Sequence, residues 1–535
     1  MALGSPMIGF VHKSMVRRLA HAILVVAVGV GCAGEAEVVV AEQSAVAVYP
    51  GKADDYLSPT SREWSLTGAG NFTLDDTSRA LASEQKQVLA EELLGYRFKA
   101  IAYFVNEYIT DKTKKAENDG YGEFGGLVRD QSLEFVVEPV DDDEMTWEFV
   151  WTLDIGGPAD LLSRLSTYSV GSDTVFDVIL PLLSEEALRS GTFPKHFSPT
   201  IYSGDTESVR VSISPVKSSV DAYPEYNALF EDGILDVLIL VGGDYNEKRY
   251  DLLSAEEIFN WLKNEYSHPA QDYTELTLDS VPFTRKIQAG GRTVTVEVTL
   301  LHPDIVEDTE LDRLESAIID GFQTRDIVIY DGHAGQDPGY SGVSYHYQPR
   351  RAIPANDLAN LALPSKYQVF VFNGCKTYNA YPDALYRSAS KSTKSLDVIS
   401  TVSFSWLSMQ PWTTSGLMIE LVKESLGEHE PQTWLEILTR INKSNNYNVF
   451  YGVHGLDDNP TIHPYANRDS LCRSCSVDAE CPGQGNRCVR YEWGAGCAVE
   501  CTDNAGCPAG YICADIAEGL QVIGRQCLPD TYSCN

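Results

Sequence analysis

The stretches Asp326–Gly335, DIVIYDGHAG, and Tyr367–Tyr378, YQVFVFNGCKTY, decide the fold of the chain. In each, a short apolar run rich in Val, Ile and Phe ends in a small residue and a reactive side chain. Runs of this length and composition predict buried strands. His333 lies just past the first run, and Cys375 lies just past the second. The sequence therefore predicts two strands, each with a reactive residue beyond its carboxyl end.

Strand and helix patterns alternate around these two stretches, from about residue 230 to residue 445. A helix is predicted to begin at Ser254, because Glu257 follows at capping-box spacing, and Ala289-Gly290-Gly291 predicts a hairpin turn. The further apolar runs that predict strands are 237–241, 294–300 and 398–402. Alternation of this kind predicts a mainly parallel sheet with helices on both faces, and in such sheets functional residues collect beyond the carboxyl ends of the strands.

The cysteines divide into one crowded group and two isolated residues. A zinc site built on the Cys472 and Cys475 pair is disfavoured, because no second such pair and no pair of histidines follows it. The crowded group is Cys472, Cys475, Cys481, Cys488, Cys497, Cys501, Cys507, Cys513, Cys527 and Cys534. An even number of cysteines in a short exported segment predicts a disulfide framework, whose connectivity stays open. Apart from Cys32 at the N-terminus, only Cys375 lies outside this group.

His333 and Cys375 together suit nucleophilic catalysis. An imidazole can take the proton of a thiol and later return it to a leaving amine. Gly332, Gly335 and Gly374 would let the backbone approach a substrate carbonyl closely, where free N–H groups can stabilise an oxyanion. The alternative is that Cys375 is a small buried apolar residue and His333 an ordinary turn residue.

The two motifs resemble those of the caspase-like cysteine peptidases of clan CD, which include caspases, gingipains, legumain and separases. In that clan one apolar strand ends in His-Gly and a later one ends in a small residue and Cys, positions that Gly332-His333 and Gly374-Cys375 fill in the same order. The resemblance implies a caspase-hemoglobinase α/β/α sandwich, with Cys375 as nucleophile and His333 as general acid and base. It also implies an oxyanion site formed by the backbone N–H groups of Cys375 and Ala334. Ala334 stands where the clan usually has Gly.

Other residues near these motifs have more than one interpretation. Asp331 could orient the imidazole of His333, but the preferred interpretation is that it is a turn residue. His454 is followed by Gly, but it comes too late in the chain for the order of the resemblance. His346 is expected to lie in a loop over the site. By analogy with the clan, a specificity pocket is expected near Ser403–Trp412, where Trp406 suits either a pocket wall or core packing.

The N-terminus has the pattern of an export signal: basic residues, the apolar run Leu19–Val30 and small residues around Cys32. If translation starts at Met15, the basic residues directly precede the apolar run and the signal is compact. The segment resembles a bacterial lipobox, which implies lipidation of Cys32 and membrane contact through an N-terminal lipid anchor. Gly29 stands where that pattern prefers Leu, so plain secretion stays open. The small, acidic residues 33–60 predict a flexible tether.

These patterns predict a multidomain chain with a central α/β/α sandwich, an α+β domain before it and a small disulfide module after it. Helical spacing from Ser83 to about Tyr108 and the alternating aromatic stripe Trp147–Leu153 indicate the α+β domain. The predicted segments are a signal at 1–32, the tether at 33–60, the accessory α+β domain at 61–225, the caspase-like domain at 230–465 and the cysteine-rich module at 470–535.

Charge and motifs together limit the function. The net charge is −35, from 76 acidic and 41 basic side chains, which disfavours nucleic acid as a partner. The leading prediction is a cell-envelope cysteine endopeptidase that acts on a peptide or protein substrate with no cofactor and no metal. The alternatives are a non-catalytic binding or adhesion lipoprotein with the same fold, and a transpeptidase or acyltransferase that uses the same dyad. A protein or glycan ligand is expected for the cysteine-rich module.

Overall fold

The first described strand, β1 (Tyr56–Leu57), belongs to the central sheet although it lies near the N-terminus. The computed structural model describes residues 55–113, 127–128, 134–194, 197–334, 342–443, 449–461, 463–466, 470–491, 494–508, 510–518 and 521–530. Tyr56 pairs antiparallel with His454 and is 1% exposed, because its ring packs edge-on against Tyr378. The prediction of a tether through residue 60 is therefore wrong at its end. Residues 33–54 and Cys32 lie outside the described part of the chain.

An antiparallel sheet and a long helix form the N-terminal part of the described chain. Its elements are β2 (Ser61–Thr73), α1 (Ser83–Thr113), β3 (Leu127–Val128), β4 (Glu134–Pro139), β5 (Thr146–Pro158), α2 (Leu161–Arg164), β6 (Tyr168–Val170), β7 (Asp173–Pro181), α3 (Glu185–Ser190) and β8 (Thr206–Pro215). The strand order is β3-β5-β2-β8-β7-β6, and β4 pairs with β5. The predicted aromatic stripe of β5 is buried: Trp147, Phe149 and Trp151 lie in one core with Phe98 and Ile101 of α1. We call this assembly the N-terminal sheet.

Strands and helices then alternate as the sequence predicts. The elements are α4 (Tyr226–Leu229), β9 (Ile234–Val241), α5 (Tyr250–Glu265), β10 (Phe283–Ala289), β11 (Arg292–Leu301), α6 (Leu311–Thr324), β12 (Ile327–Asp331), β13 (Val343–Tyr347), β14 (Arg350–Ile353), β15 (Gln368–Asn373), α7 (Tyr381–Tyr386), β16 (Leu396–Thr401), α8 (Gln410–Leu421), β17 (Glu424–Ser425), β18 (Glu428–His429), α9 (Trp434–Lys443) and β19 (Tyr451–His454). The predicted hairpin is present between β10 and β11, where Gly290 and Gly291 both have positive φ. Such a turn favours glycine because other residues are strained there.

The central sheet is mixed and has the order β1-β19-β16-β15-β12-β9-β11-β10. Strands β11, β9, β12, β15 and β16 lie side by side and are parallel. The prediction of a mainly parallel sheet thus holds for its centre, whereas β10 on one edge and β19 with β1 on the other run antiparallel. Four of these strands, β9, β12, β15 and β16, are almost wholly buried, which explains their apolar runs, whereas β11 alternates between buried and partly exposed residues.

Helices pack on both faces of this sheet. On one face, Phe322 of α6 stacks against Phe372 of β15. Phe372 is in register with Tyr330, so the next residue, Asp331, points to the opposite face. There the hydroxyl of Thr414 on α8 donates to Asp331, and α5 and α9 pack beside α8.

The C-terminal module is small and held by disulfides. Its strands are β20 (Arg487–Tyr491), β21 (Gly494–Glu500), β22 (Tyr511–Glu518) and β23 (Gln521–Pro529), and its described bridges are Cys475–Cys488, Cys481–Cys497, Cys501–Cys513 and Cys507–Cys527. Cys472 is also disulfide-bonded, and Cys534 lies outside the described residues. The predicted disulfide framework is confirmed. In the described part of the chain, no helix combines the length and the apolar character needed to cross a bilayer.

Candidate active site

The two sequence motifs meet at the carboxyl edge of the central sheet. Asp331, the last residue of β12, is in register with Asn373, the last residue of the adjacent parallel strand β15. A single glycine separates Asp331 from His333, and a single glycine separates Asn373 from Cys375. Because the two strands are parallel neighbours, His333 and Cys375 both lie just beyond the same edge.

The two loops beyond these strands touch at Gly374 and Ala334. A Cβ atom built on Gly374 would lie 2.4 Å from the Cβ of Ala334 and 3.0 Å from the carbonyl oxygen of Gly332. No larger residue fits at Gly374 without moving one of the loops. Ala334 is 3% exposed and does not have a positive φ, so its backbone conformation suits alanine as well as glycine. Alanine at this position, where the resembled clan usually has glycine, therefore has no strain from a positive φ.

The resemblance assigns an oxyanion site to two backbone N–H groups at this junction. Within the described residues, neither the N–H of Ala334 nor that of Cys375 donates a hydrogen bond. Backbone N–H groups are the donors that stabilise an oxyanion in acyl-transfer enzymes. The two donors implied by the resemblance therefore have no acceptor in the described part of the chain. Gly335, a supporting glycine in the sequence prediction, lies outside the described residues.

Asp244 is the carboxylate partner of His333. It follows β9, the other neighbour of β12, and its Oδ1 lies 2.9 Å from Nε2 of His333. The Asp244 side chain is 1% exposed. Its two oxygens also accept the backbone N–H groups of Asn246 and Tyr250, so the carboxylate is fixed in place. When Nε2–H of a neutral imidazole donates to Asp244, Nδ1 carries the lone pair and can act as the base.

Asp331 has a different role from either sequence interpretation, because it is neither a turn residue nor the partner of the imidazole. Its buried carboxyl group accepts hydrogen bonds from Asn373 Nδ2 at 3.0 Å and from the hydroxyl of Thr414. Burial raises its pKa to about 7, against the opposing effect of these hydrogen bonds. The Oδ1 atom of Asn373 in turn accepts from Tyr451 and Ser405. This network fixes the end of β15 directly below Cys375.

Cys375 is a free, half-buried cysteine. Its Sγ accepts the N–H of Ser405 and donates to the carbonyl oxygen of Ser405, each at 3.4 Å. Burial raises the pKa of the thiol, although the Ser405 N–H and the positive charge of Lys376 act in the opposite direction. The resting thiol is therefore protonated at neutral pH, and a base is needed to activate it.

An aromatic ring covers the imidazole. Tyr245 stacks on His333 with ring centroids 4.6 Å apart, and Tyr347 packs beside Tyr245. Tyr245 is 51% exposed, so the stack lies at the surface of the site. Together with Asp244, this stacking restricts rotation of the imidazole.

The remaining sequence candidates lie in other environments. His346 is not in a loop over the site but on β13, where it is buried and its Nδ1 lies 2.7 Å from the carbonyl oxygen of Pro349. His454 is fully buried on β19, where its Nε2 lies 3.2 Å from the hydroxyl of Ser400. Trp406 is partly buried and packs against the core of the central sheet.

The sheet edge thus combines a thiol, an imidazole with a carboxylate partner, and two backbone N–H groups that have no acceptor among the described residues. This set of groups suits acyl transfer through a thioester. Compared with protein-family models, curated proteins and solved structures, the chain matches none. Among the described residues, the side chains with the spacing of metal ligands are cysteines of the C-terminal module, which are already disulfide-bonded.

Proposed function

We propose that the chain is a caspase-like cysteine endopeptidase with Cys375 as nucleophile and His333 as general acid and base. One observation carries the proposal: Cys375 and His333 follow registered parallel strands, and the imidazole is bound to a buried carboxylate. Helices on both faces of a sheet with a parallel centre support the caspase-hemoglobinase sandwich that the two motifs imply.

In the first half of the reaction, Nδ1 of His333 takes the thiol proton of Cys375 and Sγ attacks the carbonyl carbon of the scissile peptide bond. The oxyanion that forms accepts the N–H groups of Ala334 and Cys375. When the C–N bond breaks, the imidazolium returns its proton to the leaving amine. The negative charge of Asp244 stabilises the imidazolium between these two steps.

In the second half, water hydrolyses the thioester. His333 takes a proton from the attacking water, and the tetrahedral intermediate again places its oxyanion at the two N–H groups. When the intermediate collapses, the C–S bond breaks, a carboxylic acid is released, and the imidazolium of His333 returns its proton to the Cys375 thiolate. An amine in place of water would give transpeptidation, which is the transferase alternative.

We also infer that the peptidase works outside the cytoplasm, as an envelope lipoprotein or a secreted protein. The disulfide-rich C-terminal module supports this inference, because such bridges form and persist in oxidising compartments. Fractionation of cells followed by mass spectrometry of the mature N-terminus tests it. A diacylglyceryl group on Cys32 supports the lipoprotein form, whereas an unprocessed protein in the cytoplasm contradicts export.

One observation favours the non-catalytic rival, a binding protein that keeps the fold. The thiol of Cys375 is partly buried and engaged by Ser405, and its pKa is raised rather than lowered. Many cysteine nucleophiles have a lowered pKa instead. The two functions differ in turnover, since a binding protein retains a peptide without cleaving it.

The deciding experiment compares wild type with Cys375→Ala, His333→Gln and the control His268→Gln on a peptide library. His268 is a histidine of the same sheet region whose ring stacks on Phe283 and so provides a matched substitution away from the site. Cleavage by wild type and the control, lost in both site variants, supports the peptidase. An acyloxymethyl-ketone probe should label Cys375 selectively in the same preparation.

Three other outcomes are informative. Cleavage that survives Cys375→Ala contradicts the assignment of the nucleophile. Stoichiometric binding of peptides without cleavage supports the rival. Products in which the acyl part of the substrate is joined to an added amine acceptor, with release of the original leaving amine, support the transferase.

A further inference from the structure

The N-terminal sheet contacts the segment that directly follows Cys375. The hydroxyl of Tyr378 donates to Oε1 of Glu63 on β2 at 2.6 Å. Tyr378 is 0% exposed and Glu63 is 5% exposed. A buried hydrogen bond between a phenol and a carboxyl group holds both partners in one geometry, because leaving either unpaired is costly.

The partner of Glu63 in the sheet makes a second contact with the same region. Gly156 on β5 is in register with Glu63. A Cβ atom on Gly156 would lie 2.5 Å from Cγ1 of Val402 and 3.1 Å from Cε1 of Tyr378. Only glycine allows this close approach. The registered pair Glu63 and Gly156 of the N-terminal sheet therefore contacts both loops. It touches the loop after β15 at Tyr378 and the loop after β16 at Val402.

These two loops meet at the thiol: Cys375 belongs to the loop after β15, and its Sγ contacts Ser405 in the loop after β16. The N–H of Lys376 donates to the carbonyl oxygen of Ser403 at 2.9 Å, next to the contact of Sγ with Ser405. Lys376 has a φ of 56°, a conformation that is uncommon for residues other than glycine. Such a conformation persists only where the surrounding structure enforces it. The N-terminal sheet helps to hold Lys376 in this conformation, because its Glu63 binds Tyr378, two residues further along the same segment.

We propose that Glu63 and Gly156 are positioning residues of the active centre and that the site is incomplete without the N-terminal sheet. On this view residues 61–225 are not a separate accessory domain: they fix the loop that carries the nucleophile. The catalytic consequence rests on the proposed peptidase function. The effect on the environment of the Cys375 thiol does not, since it can be measured without turnover.

The test uses the full chain with Glu63→Ala, Glu63→Gln and the control Glu207→Ala. Glu207 lies on β8 of the same sheet and pairs with Arg97 at 2.6 Å, so its loss removes a comparable side chain away from the site. For Glu63→Ala we expect kcat to fall about tenfold or more with little change in KM, because small displacements of a reacting group are costly. We expect the rate of Cys375 alkylation by iodoacetamide to change about fivefold or more, since the surroundings of a thiol set its reactivity. Glu63→Gln keeps the acceptor oxygen and should restore both values.

A second variant removes the same hydrogen bond from the other side. Tyr378→Phe keeps the ring and should reproduce the effect of Glu63→Ala, and the double variant should add nothing, as expected for two partners in one interaction. Unchanged alkylation in Glu63→Ala overturns the inference. Equal changes in the Glu207→Ala control also overturn it, because they indicate general destabilisation. If wild-type protein shows no Cys375-dependent turnover, the peptidase proposal is wrong. The alkylation rates of the variants then still test whether Glu63 positions the thiol.

Discussion

Asp244 and His333 face each other across the ends of two neighbouring parallel strands, with Oδ1 of the carboxylate 2.9 Å from Nε2 of the imidazole. A carboxylate in this position stabilises an imidazolium, and by accepting Nε2–H it favours the neutral tautomer that has its lone pair on Nδ1. In the proposed mechanism, the Asp244–His333 pair supports activation of the Cys375 thiol, whose own pKa is raised by burial.

The first prediction concerns this pair. Asp244→Asn keeps the size of the side chain but removes its charge. Because general acid and base catalysis by His333 contributes about 10²- to 10⁴-fold and depends on this carboxylate in the proposed mechanism, we expect kcat for peptide cleavage to fall by up to that amount. Asp304→Asn is the matched control, because Asp304 pairs with Arg249 in the same region. Equal activity of Asp244→Asn and wild type would show that the carboxylate does not assist the imidazole.

The second prediction concerns the contact between the two loops. Gly374→Ala places a Cβ atom 2.4 Å from that of Ala334, so we expect it to destabilise the fold by about 1–3 kcal/mol, as overpacking does, and to lower turnover. The double variant Gly374→Ala/Ala334→Gly removes the closest clash and should recover part of both losses. Urea denaturation and peptide cleavage measure the two effects. Absence of any recovery would mean that the loops do not touch at these residues.

The sequence alone predicted the elements whose signals are local. The runs at β12 and β15 are short, apolar and rich in branched or aromatic residues, so both strands and the reactive residues beyond them were predictable. Gly290 and Gly291 likewise mark their hairpin. The existence of the disulfide framework followed from the number of cysteines and their spacing.

The features that escaped prediction depend on pairing between distant parts of the chain. Asp244 follows the apolar run of β9 through two glycines, the same kind of signal as at His333. Nothing local showed that β9 lies beside β12, since β10 and β11 intervene in the chain. The pairing of Tyr56 with the central sheet was not predicted for the same reason, because its partner, His454, lies in β19, the last strand of that sheet in the chain.

One helix boundary was wrong because tertiary contacts overrode a local motif. The spacing of Ser254 and Glu257 predicted a helix start, but α5 begins at Tyr250 and Ser254 is buried inside it. The hydroxyl of Ser254 donates to the carbonyl oxygen of Leu407 instead of capping its own helix. Arg249 and Asp251 form an ion pair at the true start.

The third prediction concerns a buried carboxyl group far from the site. Asp397 on β16 is 0% exposed and accepts hydrogen bonds from Trp434 Nε1 at 2.6 Å and from the hydroxyl of Tyr367. Burial raises its pKa to about 7, so the native state keeps a proton that the unfolded chain releases near pH 4. The stability linked to this proton is complete below about pH 4 and is lost as the pH rises through about 7.

Asp397→Asn should therefore reduce the pH dependence of the free energy of unfolding between about pH 4 and pH 7. The difference is expected to reach a few kcal/mol, since each pKa unit corresponds to about 1.4 kcal/mol. Urea denaturation at several pH values measures it, with the exposed Asp142→Asn as the control. A variant whose pH dependence equals that of wild type would show that Asp397 is ionised in the folded protein.

The last prediction concerns the C-terminal module. The Cys481–Cys497 bridge closes a loop with a sequence separation of 16, and its sulfur atoms lie in a small cluster apart from the core of the central sheet. Replacing both cysteines by serine should destabilise the module by about 2–4 kcal/mol, the usual effect of such a bridge. Hydrogen exchange should then accelerate at β20 and β21, whereas exchange at β12 and β15 and the labelling of Cys375 should stay at wild-type values. Loss of protection throughout the central sheet would mean instead that the module is needed for the stability of that sheet.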